Sequence, residues 1–128
     1  SSAAQQELNY ENNYRAIRYA DVLLMAAEAN NRKSASDDTK AQNYLNQVRA
    51  RAFGDDSKAS SSTGTALTSE IWEERRLELA MEGHRFFDLV RTGEAATKIS
   101  GFVAGKHEVF PIPQTEIDIS GLTQNSGY

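Results

Sequence analysis

The stretch from Glu74 to Gly93 constrains the fold more than any other part of the sequence. It reads ERRLELAMEGHRFFDLVRTG, with charged residues and large apolar residues interspersed along its whole length. A solvated helix would carry fewer large apolar side chains, and a plain core helix would carry fewer charges. The stretch therefore indicates a helix that packs against neighbours and whose charges pair within the folded chain.

Two helices are predicted upstream of this stretch. Residues 14–31 carry apolar side chains on more than one face, so we expect this helix to be mostly buried. Its charges form a single edge that we expect to face water: Arg18, Asp21, Glu28 and Arg32. Residues 38–52 have one apolar face, follow Ser and Asp residues that suit an N-cap, and end before Gly54, which suits the left-handed residue that stops a helix. Two such helices joined by a short turn predict an antiparallel hairpin.

The expected core face of the first helix contains Ile17, Ala20, Leu24 and Ala27. That of the second helix contains Ala41, Tyr44, Leu45, Val48 and Ala52. Both sets follow the spacing of an α-helix, which predicts that these side chains lie together in the core.

The third predicted helix covers residues 68–91 and contains the opening stretch. Thr68 is expected as its N-cap residue, with Leu67 packed against Trp72 as a hydrophobic staple. Gly83 is expected to mark either a break in this helix or a close contact with another helix. The spacing therefore predicts a long helix with one weak point.

Two segments lack helical periodicity. Residues 54–66 are rich in Ser, Gly and Asp and predict a flexible, solvated loop. Residues 94–128 predict an irregular tail with no more than single helical turns, because proline excludes helical geometry from the residue before it in the segment from Phe110 to Pro113. We expect the tail to be pinned to the helices by Ile119, Leu122 and Tyr128.

Composition limits the class of protein. The chain has 128 residues, 25% charged and 39% hydrophobic, which predicts one globular core. Its net charge of -4 argues against a nucleic-acid partner, because phosphate groups need clustered cations. Without cysteine there is neither a disulfide framework nor a thiolate metal site, and both a reducing and an extracytoplasmic compartment remain open. The longest uncharged apolar run, residues 22–27, is too short for a transmembrane segment.

The amino-terminal residues, Ser1 to Asn13, are polar and without periodicity. Tyr10 and Tyr14 are expected to anchor them to the rest of the chain. Because the sequence opens without an initiator Met, a signal peptide or a lipid-attachment Cys, we expect it to be a piece of a longer protein.

Three glutamates recur every four residues along the third helix: Glu74, Glu78 and Glu82. Paired carboxylates can cleave glycosidic bonds, but they must flank the bond from opposite sides, which a row on one helix face does not allow. The alternative is an ionic network in which Arg75 and Arg85 reach the row and Arg18 and Glu28 of the first helix join it. The spacing favours the network.

His84 suggests a metal ligand or a general base, but a zinc-binding helix needs a second His one turn away, and the other histidine is His107. A half-buried imidazole that donates to a carboxylate or carbonyl is favoured. The sequence also lacks a serine elbow, a phosphate-binding glycine loop and a calcium-loop spacing. We therefore predict no catalytic residue, no metal ligand and no cofactor.

Aromatic residues could stack on a sugar if their rings were exposed among polar groups. Trp72, Phe86 and Phe87 fall on helical core faces, so we predict that they pack in the interior. For the tyrosines both interpretations stay open: Tyr10, Tyr14, Tyr44 and Tyr128.

Four segments in the same order resemble the carboxy-terminal portion of SusD/RagB proteins. They are RYADVLLMAAEA from Arg18, NQVRARA from Asn46, the opening stretch from Glu74, and FPIPQ from Phe110 together with LTQNSGY from Leu122. The resemblance spans about residues 18–128.

The resemblance implies a mainly α fold of tetratricopeptide-like helix pairs with an irregular carboxy-terminal extension, in which residues 1–128 form one segment of a larger SusD-like α-helical protein. It implies a surface lipoprotein of the outer membrane of Bacteroidetes-type bacteria, with the lipid anchor on the missing amino-terminal part. Such a protein binds oligosaccharides for nutrient uptake and delivers them to a SusC-like TonB-dependent transporter, and it is not an enzyme. No ligand-contacting position of the family has a motif to match here, so the glycan-binding residues stay unassigned. The alternative is a helical-repeat scaffold that mediates protein–protein contact only.

Overall fold

The computed structural model describes residues 15–128, and every regular element in this range is an α-helix. Six helices follow one another: α1 (Tyr19–Arg32), α2 (Asp38–Phe53), α3 (Gly64–Glu78), α4 (Arg85–Arg91), α5 (Ala95–Lys98) and α6 (Gln114–Ser120). The predicted mainly α class is confirmed. None of these helices is both long enough and apolar enough to cross a membrane. The predicted helix start at residue 14 and the anchoring roles of Tyr10 and Tyr14 lie outside the described residues.

The chain divides into two compact units, Ser1–Glu78 and Leu79–Tyr128. The first unit contains α1, α2 and α3, and the second contains α4, α5 and α6. The expectation of a single core is therefore wrong, because the chain contacts cluster into two groups that separate at the end of α3.

In the first unit, α1 runs in the opposite direction to both α2 and α3. Near the end of α1, Asn31 Nδ2 donates to Asp38 at the start of α2 (2.8 Å) and to the carbonyl of Gly64 at the start of α3 (3.1 Å). At the other end of α1, the residue before the helix and an arginine near the end of α2 both contact Glu78, the last residue of α3. The predicted antiparallel pair is thus present, with a third helix packed against it.

The core of the first unit consists of buried residues from all three helices. They are Leu23, Leu24, Ala27, Ala41, Leu45, Val48, Leu67 and Ile71. Each fully buried leucine or isoleucine contributes about 1.5–3 kcal/mol, so this cluster is the main source of stability in the unit. Two predicted core residues are exposed instead: Ile17, which precedes α1, and Ala52, which lies in the last turn of α2.

The faces of α1 differ from those predicted. Tyr19, Val22 and Met25 are 72%, 43% and 46% exposed, whereas the carboxylates Asp21 and Glu28 are buried. Most residues of α1 are buried or half-buried, as predicted, but the prediction that its two carboxylates face water is wrong. The two acids face inward because arginine side chains, rather than water, satisfy them, whereas Arg32 itself is exposed.

The helix predicted over residues 68–91 is divided by a turn. α3 ends at Glu78 and α4 begins at Arg85, and between them Met81 and Gly83 have φ angles of 69° and 82°. A right-handed helix cannot continue through residues in the left-handed region. The break expected at Gly83 is present, but the helix ends several residues before it.

The segment between α2 and α3 is shorter than the predicted loop of residues 54–66, because α3 begins at Gly64. Its second half is fastened to α2, where Asn46 exchanges hydrogen bonds of 2.7 and 3.0 Å with Ser60. Residues 54–59 are all exposed, whereas Ser60 and Ser62 are half-buried.

The cap of α2 is predicted correctly and that of α3 is not. Gly54 has φ 81° and ends α2, and Asp37 accepts from the first turn, as the sequence indicates. Thr68, in contrast, lies inside α3 instead of capping it, and Leu67 is fully buried. Gly64 and Thr65 have weak helix propensity, and tertiary contacts such as the Gly64 N–H to Asp38 carboxylate bond (2.7 Å) decide where α3 starts.

In the second unit, the last residues of the chain are fastened alongside the proline-containing segment. The side-chain amide of Gln124 bonds both the N–H and the carbonyl of Ile112, at 2.8 and 2.9 Å, as a neighbouring β-strand would. Asn125 Nδ2 donates to the carbonyl of Phe110 at 2.7 Å. These amides satisfy backbone groups that have no helical partner.

The tail predicted to be irregular over residues 94–128 contains the short helices α5 and α6. Two residues expected to pin it, Ile119 and Leu122, are 82% and 51% exposed. Tyr128 does fasten the tail, but through its hydroxyl, which donates to the carbonyl of Val109 at 3.0 Å. Polar groups bonding to backbone therefore replace the expected apolar contacts.

Candidate functional site

The three glutamates of the opening stretch do not stay in one row. Glu74 and Glu78 lie in α3 with side chains that are each 9% exposed, whereas Glu82 follows the end of α3 and leaves the row. The two that remain on the helix are engaged by arginines. The glycosidase interpretation therefore gains no support from their arrangement.

Arginines outside α3 neutralise this acidic row. Four ion pairs of 2.5–3.0 Å share this arrangement: Arg49 with Glu70, Arg49 with Glu74, Arg18 with Glu78 and Arg51 with Glu78. We call this set the arginine–glutamate network. It joins α3 to α2 and to the residue before α1, so its position is that of a structural clamp.

Arg75, predicted to reach the row, contacts Asp21 of α1 instead. Its Nη1 lies 2.6 Å from Asp21 Oδ1, and both side chains are only 7% exposed. Arg85, the other predicted partner, belongs to α4 of the second unit. Glu28, expected to join this network, pairs with Arg32 of its own helix at 2.9 Å. A network therefore exists as predicted, but most of its partners differ from those predicted.

The pKa of Glu78 is set by two opposing effects, the burial of its carboxyl group and the presence of its arginine partners. Burial favours the neutral carboxyl and raises the pKa, but the hydrogen bonds and positive charges of Arg18 and Arg51 together outweigh burial and lower the pKa below its usual value. The same balance lowers the pKa of Glu70, through neighbouring serine and arginine side chains. A general acid needs a raised pKa, so these carboxylates suit a structural role.

The lowered pKa of Glu78 predicts a dependence of stability on pH. Because the folded state binds this proton more weakly than the unfolded state, the stabilisation is present above the pKa of the unfolded chain and is lost as pH falls through the lowered pKa. We expect Glu78→Gln to be less stable than the wild type at neutral pH. The difference should shrink as pH falls below the ordinary glutamate pKa of about 4.3. Urea unfolding at a series of pH values measures it.

Glu73→Gln is the matched control for this experiment, because Glu73 is an exposed glutamate of the same helix that pairs with Arg76. It should follow the wild type much more closely across the pH range. Equal pH profiles for the wild type and Glu78→Gln would contradict the structural role of Glu78.

His84 is half-buried and immediately precedes α4, and its carbonyl accepts from the N–H of Asp88 at 3.0 Å. Within residues 15–128, no three His, Asp or Glu side chains converge as a metal site requires. His84 therefore takes no part in a metal centre of that size in this part of the chain.

The second unit contains a cavity that the sequence does not reveal. Its volume is about 350 Å³, and its wall is formed by α4 and by irregular segments that follow α5. Six of the residues that line it are Phe86, Ile99, Phe102, His107, Phe110 and Tyr128. We call it the aromatic cavity.

The rings of the aromatic cavity contact one another in pairs. The Phe86 and Phe110 centroids lie 6.2 Å apart with planes tilted by 35°, and the Phe102 and His107 centroids lie 5.7 Å apart, edge to face. Phe110 is nevertheless 76% exposed, and Tyr128 is 45% exposed. The cavity thus has an apolar wall and two rings that are open to solvent.

Polar atoms accompany these rings. His107 Nδ1 accepts from the N–H of Val103 at 3.0 Å, so the neutral imidazole carries its proton on Nε2, which remains a donor. The Tyr128 hydroxyl donates its proton to Val109 and keeps an oxygen lone pair as an acceptor. Lys106 Nζ lies 4.7 Å from the centre of the Tyr128 ring. The cavity therefore combines aromatic faces with a hydrogen-bond donor, an acceptor and a nearby cation.

The prediction that three aromatic residues pack in the interior is partly wrong. Trp72 is half-buried, with the guanidinium of Arg32 5.4 Å above its ring, and Phe86 is also half-buried. Phe87, however, is 67% exposed. Adjacent residues on a helix point about 100° apart, and α4 is too short to bury both phenylalanines on one face.

The signal that could have revealed the cavity is the presence of aromatic residues in segments without helical spacing. Phe102, His107, Phe110 and Tyr128 all lie outside helices. No helical core explains such residues, and this distinguishes them from Trp72.

An open groove in the first unit lies along α1 and α2 and has a volume of about 540 Å³. Its floor includes Leu23 and Val48, and Arg18 and Arg51 of the arginine–glutamate network stand beside it. The groove is thus an apolar surface flanked by cations.

Comparison with known proteins identifies the family. The sequence profile of the SusD family matches residues 2–109. Among curated proteins of Formosa agariphila, SusD-like protein P25 is 30% identical over 137 aligned residues, which cover 94% of this chain and 26% of that protein. SusD-like protein P2 is 33% identical over 133 residues, which cover 91% of this chain and 26% of that protein. SusD-like protein P38 is 40% identical over 91 residues, which cover 62% of this chain and 17% of that protein.

The chain spans about a quarter of the length of P25 and of P2. No solved structure gives a significant match. The family profile covers most of the chain and includes three of the four segments that resemble SusD/RagB proteins, while the fourth, from Phe110 onward, lies beyond it. On this basis the chain belongs to the SusD family.

Proposed function

We propose that this chain is the carboxy-terminal part of a cell-surface lipoprotein that binds oligosaccharides and delivers them to a SusC-like TonB-dependent transporter of the outer membrane. The observation that supports it is the match of the SusD family to residues 2–109. The lipid anchor would lie in a part of the protein outside this sequence, and the remainder of the longer chain would be the nearest partner of the two units.

The geometry of the first unit supports a binding protein rather than an enzyme. Its buried acids, Asp21, Glu28 and Glu74, and the half-buried Glu78 are each paired with arginine at 2.5–2.9 Å, and the pKa of Glu78 is lowered. Groups held in this way stabilise a scaffold, whereas a catalytic acid must release and regain a proton near the working pH. The aromatic cavity of the second unit adds surface of the kind that sugars contact.

Isothermal titration of the full-length protein against oligosaccharides from plant and host polysaccharides tests this proposal. We expect saturable heat with at least one of them, and the same titration with an unrelated helical-repeat protein provides the control. The absence of binding to every glycan tested would count against the proposal.

A scaffold that only contacts another protein is the second candidate. The open groove along α1 and α2 favours it, because a groove with an apolar floor can receive the apolar face of an amphipathic segment. Co-purification of a transporter by a full-length protein without affinity for any glycan would favour this candidate over the first.

A further inference from the structure

We propose that the aromatic cavity of the second unit binds a single pyranose ring, with Phe110 as the stacking platform and with His107 and Tyr128 as hydrogen-bonding groups. This inference rests on the proposed function and assigns to it a specific site. Three properties of the cavity support it: its size, the chemistry of its wall and the contacts that hold its rim in place.

The size of the cavity matches one ring rather than a long chain. Its volume of about 350 Å³ is near the lower end of the range of roughly 300–1,000 Å³ that is typical of small-molecule sites. An oligosaccharide would therefore place one sugar residue in the cavity and leave its neighbours in solvent. This geometry predicts recognition of a terminal or branching residue.

The wall of the cavity matches the two kinds of surface on a pyranose. One face of the ring presents C–H groups, which pack on aromatic faces, and the hydroxyl groups project from its edge. Phe110 is 76% exposed although its ring contacts Phe86, so its outward face is open for stacking. Phe110 is grouped with other aromatic rings around one apolar cavity, and such a grouping is typical of a ligand site.

The polar groups of the rim can bond sugar hydroxyls, which both donate and accept. His107 Nε2–H is a donor, because Nδ1 is already occupied by the Val103 N–H. The Tyr128 oxygen can accept a hydrogen bond from the sugar, because its own O–H already donates to the Val109 carbonyl. A sugar hydroxyl can therefore accept from His107 and donate to Tyr128, and both residues line the cavity with Phe110.

The rim is ordered before any ligand binds. The bonds from Gln124 to Ile112 and from Asn125 to Phe110 hold the platform segment, and the Lys106 ammonium over the Tyr128 ring holds that side chain. Little conformational entropy would be lost on binding, which allows a small site to retain measurable affinity.

The test uses saturation-transfer NMR of the full-length protein with methyl α-D-glucopyranoside, methyl β-D-galactopyranoside and methyl α-D-mannopyranoside at millimolar concentration. We expect transfer to the ring C–H protons of at least one glycoside. Phe110→Ala should weaken its binding about tenfold, because one aromatic contact of the stacked ring is lost.

Phe87→Ala is the matched control. Phe87 is also exposed and also contacts the Phe86 ring, with centroids 5.8 Å apart, but it does not line the cavity. It should bind the glycosides as the wild type does. His107→Asn provides a second variant, because the Asn oxygen can replace Nδ1 as the acceptor for Val103 while the Nε2 donor is lost, and it should also weaken binding.

The outcomes separate this inference from the proposed function. Equal binding by the wild type and Phe110→Ala overturns the site, as does a wild type that binds oligosaccharides by titration but gives no transfer to any methyl glycoside. A protein that binds neither oligosaccharides nor glycosides overturns the site and the proposed function together.

Discussion

Substitution of Arg75 by alanine is expected to lower the free energy of unfolding of the first unit by about 3–5 kcal/mol, because it leaves a buried carboxylate without its main counter-charge. Arg75 and Asp21 are 6% and 5% exposed, and the ion pair between them measures 2.6 Å. Water cannot replace the guanidinium at this depth. Urea unfolding followed by far-ultraviolet circular dichroism measures the loss.

The neighbouring residue supplies the control for this substitution. Arg76 is exposed and pairs with Glu73 on the same helix, so Arg76→Ala should leave the unfolding midpoint nearly unchanged. The double variant Asp21→Asn with Arg75→Met should recover part of the stability, since no buried charge is left alone. Similar losses for Arg75→Ala and Arg76→Ala would contradict the buried ion pair.

The helices of the first unit could be predicted because their apolar spacing and caps are local signals. Leu24, Leu45 and Val48 are buried where the helical period places them, and Gly54 ends α2 where its freedom at positive φ is needed. These predictions depend only on residues that are close in sequence. They can therefore be made correctly without knowledge of the tertiary structure.

The partners of the charged residues could not be predicted in the same way. Arg75 is close in sequence to Glu74 and Glu78, so local spacing assigns it to them, yet its partner Asp21 lies in α1. The partner of Glu74 is Arg49, which lies in α2. Only the packing of three helices brings these groups together. The sequence therefore shows that a network is needed but leaves its connections undetermined.

The contacts that assemble the aromatic cavity could not be predicted for a related reason. Phe86 and Phe110 are far apart in sequence and meet because Asn125 and Gln124 fasten the last residues of the chain to the proline-containing segment. Side-chain amides that bond backbone groups leave no periodic pattern in a sequence. The end of α3 could not be predicted from the sequence either, because Met81 adopts a positive φ that methionine rarely adopts.

Leu67→Ala is expected to lower the free energy of unfolding by about 2–5 kcal/mol, because it opens a cavity in the core of the first unit. The sequence places Leu67 before the third helix as a staple, whereas the structure places it inside α3 with none of its surface exposed. If Leu67 lay outside the helix and contacted only Trp72, its truncation to alanine would lower the free energy of unfolding much less. The substitution therefore distinguishes the two positions of Leu67, and urea unfolding measures the difference.

Leu77→Ala is the matched control for Leu67→Ala, because it shows what the same loss of side-chain atoms costs at an exposed position. Leu77 lies on the same helix, and the same atoms are removed, but its side chain is 56% exposed. Alanine favours a helix slightly more than leucine does, so both variants gain equally in propensity and only Leu67→Ala loses buried contacts. If the two variants unfolded at the same urea concentration, α3 could not begin at Gly64 and contribute Leu67 to the core. A large loss at Leu67 with a small one at Leu77 requires that α3 packs against α1 through its first turn.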